Sequence, residues 1–111
     1  HNVNAATLSS AAELMQIAGP SGLQGRVVDV TCVVTTGVTV AANTITVGTT
    51  ADGDAYATLS VPVSAADSVA NGATILTDDD NLIAADSAVV VATGGECTAG
   101  AGSVTVVIAW F

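Results

Sequence analysis

Nucleophilic catalysis needs a hydroxyl or thiol with a base beside it. This chain has many Ser and Thr, but no Lys, a single Arg (Arg26), and one His, which is residue 1. No Ser-His-Asp or Ser-Lys set can be assembled from that inventory. Cys32 falls on the apolar face of a strand-patterned run, where a thiol behaves as a small, inert hydrophobe. These residues therefore predict a protein that is not an enzyme and needs no cofactor.

The acids are the other chemistry-bearing group. Asp52-Gly53-Asp54 and Asp78-Asp79-Asp80-Asn81 both have the composition of turns. Oxygen-rich turns can hold Ca²⁺, which takes six to eight oxygen ligands. Neither run has the alternating acids, the Gly and the distant Glu of an EF-hand loop. Asp and Asn are also good turn formers that stay solvated, so no metal site is expected. Gly94-Gly95 and Gly100-Ala101-Gly102 bracket Cys97. A phosphate-cradling loop needs a helix after it and usually a Lys. Here a strand pattern follows, so residues 94–102 are expected to form a flexible connection. Cys32 and Cys97 show no metal-ligand spacing. A bridge between them would close a loop of about 65 residues and stabilise by roughly 4 kcal/mol. Two reduced thiols, with Cys32 buried, are the expectation, as in a protein assembled in a cytosol.

Charge narrows the partners. Ten acids against one Arg give a formal net charge of −9. Phosphate-backbone affinity comes from Lys and Arg releasing counterions, so nucleic acid is excluded as a partner. An anionic membrane surface is excluded by the same sign. No apolar run reaches the roughly 18 residues that span a bilayer. The chain starts at His1 and not at Met, as a processed product or a piece of something longer would, which leaves the compartment open.

Strands must position these groups. Half of the residues are hydrophobic, with one Trp, one Tyr and one Phe, so Val builds the core. Val and Thr suit a pleated sheet better than a helix. In residues 26–36, Val28, Val30, Cys32 and Val34 share one face, expected inward, and Val27, Asp29, Thr31 and Val33 share the other. Residues 42–47 form a second strand with Ile45 and Val47 inward, 48–54 a turn, and 55–61 a third strand ended by Pro62. Ser64 to Asn71 reads as a short helical turn, N-capped by Ser64 and ended at Asn71-Gly72. Thr74 to Leu76 and Leu82 to Ala84 flank the polar turn 77–81 as a hairpin. Residues 87–93 and 103–111 are further strands. Ser10-Ala11-Ala12-Glu13 fits a capping box for a helix, but the β character downstream favours a strand over 13–18.

The last strand is apolar on both faces. Val104, Val106, Ile108 and Trp110 share one, and Val107 and Phe111 the other. Such a strand lies centrally or at a subunit contact. Trp110 fits either a core plug or a contact with a neighbouring copy, where aromatics are enriched. Val104, Val107, Trp110 and Phe111 are the candidate interface residues. The expected fold is an all-β, single-domain antiparallel β-sandwich or jelly-roll-like barrel with one short helical turn. Its boundaries are an N-terminal arm, 1–12, and the domain, 13–111.

Three stretches carry a resemblance. They are Val27-Val28-Asp29-Val30 through Val33-Val34-Thr35-Thr36; Ile45-Thr46-Val47-Gly48-Thr49-Thr50-Ala51-Asp52-Gly53-Asp54-Ala55-Tyr56; and Gly100-Ala101-Gly102-Ser103-Val104-Thr105-Val106-Val107-Ile108. Together they resemble small virion proteins of tailed bacteriophages, the head decoration, cement or fibre proteins, over about residues 13 to 111. The motifs are strand-turn-strand and carry no catalytic signature, so no site residue transfers. The resemblance implies a β-sandwich bound to the outer capsid surface, often as a homotrimer, with the major capsid protein as partner. The alternative is a head- or tail-fibre or adhesin module that recognises a host cell-surface ligand. A surface-layer or pilus-like domain is a third reading.

Overall fold

β-Branched residues in alternation with polar ones favour strands, because each face of the pleat then meets one environment. A computed structural model describes residues 1–76 and 82–111. Among these it has nine strands and no helix. They are β1 (Asn2–Thr7), β2 (Ala12–Ala18), β3 (Gly25–Thr39), β4 (Asn43–Gly48), β5 (Ala57–Val61), β6 (Val69–Ala70), β7 (Thr74–Ile75), β8 (Ala88–Thr93) and β9 (Ala99–Trp110). A four-stranded sheet has the order β1-β9-β3-β6, and a five-stranded sheet the order β2-β8-β4-β5-β7. Every pairing is antiparallel. The two sheets enclose one core, so the fold is an antiparallel β-sandwich.

That core is built almost wholly from aliphatic side chains. The four-stranded sheet contributes Val27, Val30, Cys32, Val34, Val38, Val104 and Val106, and the five-stranded sheet Ile17, Ile45, Val47, Leu59, Val61, Val89 and Val91. Leu8 and Ile83 come from connections and are fully buried.

Four expectations change. Residues 1–12 do not form a free arm: β1 pairs with β9, Val3 opposite Val104 and Ala6 opposite Gly102. Burial of Leu8 then locks the crossover between the sheets. The helical turn at 64–71 is absent. Ser64 exchanges backbone hydrogen bonds with Val38, Asp67 donates to the Val34 carbonyl, and β6 pairs Val69 with Val33. A segment this short gains little as an isolated helix, whereas the edge of β3 has donors and acceptors that need partners. The flanks of the 77–81 turn do not pair with each other. Thr74 and Ile75 pair with β5, while Ile83 bridges Gly25; the turn itself lies outside the described residues. The Gly-rich connection is shorter than expected, because Gly100 to Gly102 belong to β9. Glycine is required there by packing: a Cβ on Gly102 would stand 2.6 Å from the Cys32 sulfur.

β3 also departs from simple alternation. Its register with β9 runs Val27 opposite Ile108 and then Asp29 opposite Val107, so Val28 is an extra residue. Such a bulge shifts the faces by one. Val27 is consequently buried and Val28 exposed, while Val30, Cys32 and Val34 point inward as expected.

Candidate functional site

β9 runs down the middle of the four-stranded sheet, between β1 and β3. Its even-numbered residues face the core. Val104 is 0% exposed, so it cannot reach a partner and leaves the candidate interface. Trp110 is half-buried and packs against the core. It closes one end of the sandwich between two glycines: a Cβ on Gly19 or on Gly25 would run into its ring. The sequence left Trp110 open between core plug and contact, and the structure places it as the plug. Val107 and Phe111 face outward and are 47% and 56% exposed.

Register places their neighbours on the same face. Val33 lies opposite Ser103 on one side and Val69 on the other. Thr31 lies opposite Thr105, which lies opposite Asn2. Asp29 is opposite Val107, and Arg26 opposite Ala109. Phe111 exchanges backbone hydrogen bonds with Gln24. Along the middle several polar groups bond to one another. The Asn2 side-chain amide donates to Ser103 Oγ at 2.9 Å and Thr105 Oγ1 at 2.8 Å, and Ser103 Oγ donates to Asn4 Oδ1 at 3.3 Å. The face therefore presents apolar zones, Val33 with Val69 and Val107 with Phe111, beside a hydroxyl and amide band.

The two sheets differ in what they show to solvent. Of the nine exposed large hydrophobics among the described residues, Val28, Val33, Val69, Val107 and Phe111 belong to the four-stranded sheet or its continuation. The five-stranded sheet contributes only Leu76 among the described residues, at the continuation of β7, where its N–H donates to the Tyr56 carbonyl. By register the outward positions of that sheet include Thr44, Thr46, Thr58, Ser60 and Ala92, together with Glu13, Gln16 and Ala18 on β2 and Ala88 and Val90 on β8. Of the seven acids among the described residues, Asp29 is on the four-stranded sheet's outward face, which the chain's one Arg shares. Glu13 is on that of the five-stranded sheet, opposite Ala92, and the other five lie in connections.

A second apolar patch lies at the end of the sandwich away from Trp110. The bridge between Val38 and Ser64 sets two connections side by side, with Val40 and Val63 beyond it, 80% and 56% exposed. Val40 has φ +75°, and the Ala41 N–H donates to the Thr39 carbonyl at 3.0 Å. That is a γ-turn of the rare, strained kind, centred on a β-branched residue. Beside it the Glu96 carboxylate accepts the Thr44 N–H at 3.1 Å.

The remaining candidates are quieter. The 49–55 turn closes on its own backbone: the Thr49 and Ala55 N–H groups donate to the Asp52 carbonyl, and Thr49 Oγ1 accepts the Asp52 N–H. Asp78 to Asp80 lie outside the described residues. No group of three or more His, Cys, Asp or Glu side chains is poised for a metal among the described residues. Cys32 and Cys97 are both buried and unbridged, and burial pushes the Cys32 thiol pKa up. A small cleft of about 240 Å³ lies where β2 and β8 end, lined by Ala18, Gly19, Ser21, Asp86, Ser87 and Ala88. The Asp86 carboxylate there accepts the Gly22 N–H at 3.0 Å.

No family model, curated protein or solved structure matches the chain. The functional reading therefore rests on the geometry above and on the motifs in the sequence.

Sequence reasoning missed Val33 and Val69 as surface partners and missed the Val40 end. Val33 carried a signal, since it fell on the face opposite the Cys32 face. Val69 was hidden in a segment read as helical, and backbone strain at Val40 leaves no sequence signal.

Proposed function

We propose that this chain is a structural virion protein of the capsid-decoration kind, bound to the outside of a phage head. One observation carries the reading. An acidic molecule of net charge −9 gathers its exposed large apolar side chains mostly on one sheet face and one end. Exposed apolar side chains gathered into patches mark protein contacts. The strained, protruding Val40 end, with Val63 beside it, is the contact to the major capsid protein. Many weak contacts of this kind sum to firm attachment when copies are linked. The acidic remainder faces solvent, because contact with packaged genome would be repulsive.

The test is to mix the purified protein with heads that lack it. Stoichiometric binding, with better survival of heat or chelator, supports decoration. Binding to host cells and not to naked heads overturns it. That outcome would promote the second reading, an adhesin or fibre module. The observation favouring the second reading is the cleft at Asp86, where Ser21, Ser87 and a carboxylate converge as in a site for a small neutral polyol.

A further inference from the structure

The outward face of the four-stranded sheet carries five exposed large apolar side chains, more than any other face among the described residues. The molecule measures 41 × 22 × 22 Å. One long face is therefore bounded at roughly 900 Å² in projection, enough for the about 800 Å² per partner of a standard protein interface when nearly the whole face is covered. Its exposed Val28, Val33, Val69, Val107 and Phe111 give it apolar knobs. Its polar middle row is already hydrogen-bonded within the sheet through Asn2, Asn4, Ser103 and Thr105. Those bonds lower the desolvation cost of covering the row, while the Asn4 amide N–H groups, Asn2 Oδ1 and the Thr105 hydroxyl proton are left to pair across the contact.

We propose that this face is where copies of the chain meet. Charge selects the occupant. Two molecules of −9 repel wherever acids face acids, and the repulsion is weakest where the local net charge is lowest. Among the described residues each sheet's outward face carries one acid, Asp29 here and Glu13 on the other, but this face also carries the chain's one Arg, Arg26. A second copy brings the same flat, low-charge Val and Thr surface, and a self-complementary patch closes as a pair. Sheets stacked face to face at the usual small angle interleave such side chains. The proposal rests on the docking reading and names the partner for one of its two patches. It leaves the Val40 end free to meet the capsid.

The experiment uses the purified chain alone, by sedimentation equilibrium over a concentration series. Self-association is expected, and it should tighten as salt rises from about 0.05 to about 0.5 M, because screening removes the repulsion between acidic copies. Val107→Asp and Val33→Asp, both at exposed positions, should each weaken association about tenfold or more. Thr46→Asp, on the outward face of the other sheet, should leave it unchanged. Thermal melts show that each variant folds; where one does not, the other carries the test. A chain that stays monomeric at millimolar concentration in high salt overturns the proposal. So does association that survives Val107→Asp and Val33→Asp but is lost with Thr46→Asp. Neither result touches the decoration reading, which is decided by binding to heads.

Discussion

Asn43 holds together the end of the sandwich that carries Val40. It is fully buried at the start of β4. Its amide donates to Thr93 Oγ1 at 2.6 Å, and its Oδ1 accepts the Glu96 N–H at 3.1 Å. Thr93 Oγ1 in turn donates to the Leu8 carbonyl at 3.3 Å. One side chain thus joins β4, β8, the β8–β9 connection and the crossover between sheets. Asn43→Leu should cost about 1–3 kcal/mol, because it orphans buried polar groups. A lower urea midpoint at unchanged m-value would show it. Its partner on β8 is 50 residues away, which is why an Asn in a turn-like Ala-Ala-Asn-Thr run gave no warning. Val40 should respond in the opposite direction. Asn tolerates the left-handed region far better than Val, so Val40→Asn should raise stability by about 1 kcal/mol, the low end of such strain. Heads should bind that variant less well, because it also loses the exposed apolar side chain of the docking end. Cys32 sets an alkaline limit. Burial raises its pKa, so its contribution is complete below the ordinary thiol range and is lost as pH rises through the folded value. Tyr56 shifts the same way for the same reason. Urea midpoints should fall at high pH, less steeply in Cys32→Val and less again when Tyr56→Phe is added.

At the scale of elements, alternation predicted best where strands were regular. The inward set Val30, Cys32, Val34, Ile45 and Val47 follows directly from period-2 patterning, and all five are buried. It failed at Val28 because a bulge inserts one residue without leaving a mark in the hydrophobicity pattern. It failed at Gly100 to Gly102 because glycine there answers to the Cys32 and Cys97 sulfurs and to Val38, not to chain flexibility. β6 was misread because its two residues are set by the open edge of β3, a demand from outside the segment. The two ends of β9's apolar character divide cleanly into core and surface. Trp110→Ala should cost about 2–4 kcal/mol, below the full value for a wholly buried aromatic, since Trp110 keeps part of its ring in solvent. Phe111→Ser should change stability by less than about 0.5 kcal/mol. Thermal melts of the two variants test this; equal losses would mean that Phe111 also belongs to the core.

At the scale of the whole molecule, fold class was legible and surface polarity was not. A Val- and Thr-rich composition with short apolar runs between turn clusters is enough to call for a sandwich. Which face stays apolar depends on register, bulges and edge pairing, so it emerges only when Val33 is seen opposite Val69 and Val107 opposite Asp29. Net charge acts on the same scale, in two ways that salt can separate. A fold carrying −9 is strained by its own field, and screening relieves it within one molecule. Screening also lets copies meet, and association stabilises the folded state by mass action. The first effect is independent of protein concentration and the second is not. The melting temperature should therefore rise with salt at every concentration, and rise further at high salt as the protein is concentrated. In Val107→Asp the concentration-dependent part should shrink while the salt-dependent part remains. A melting temperature that ignores concentration in the unaltered chain at high salt would place all of the salt effect inside a single molecule and leave the Val33–Val107 face without a second copy to cover it.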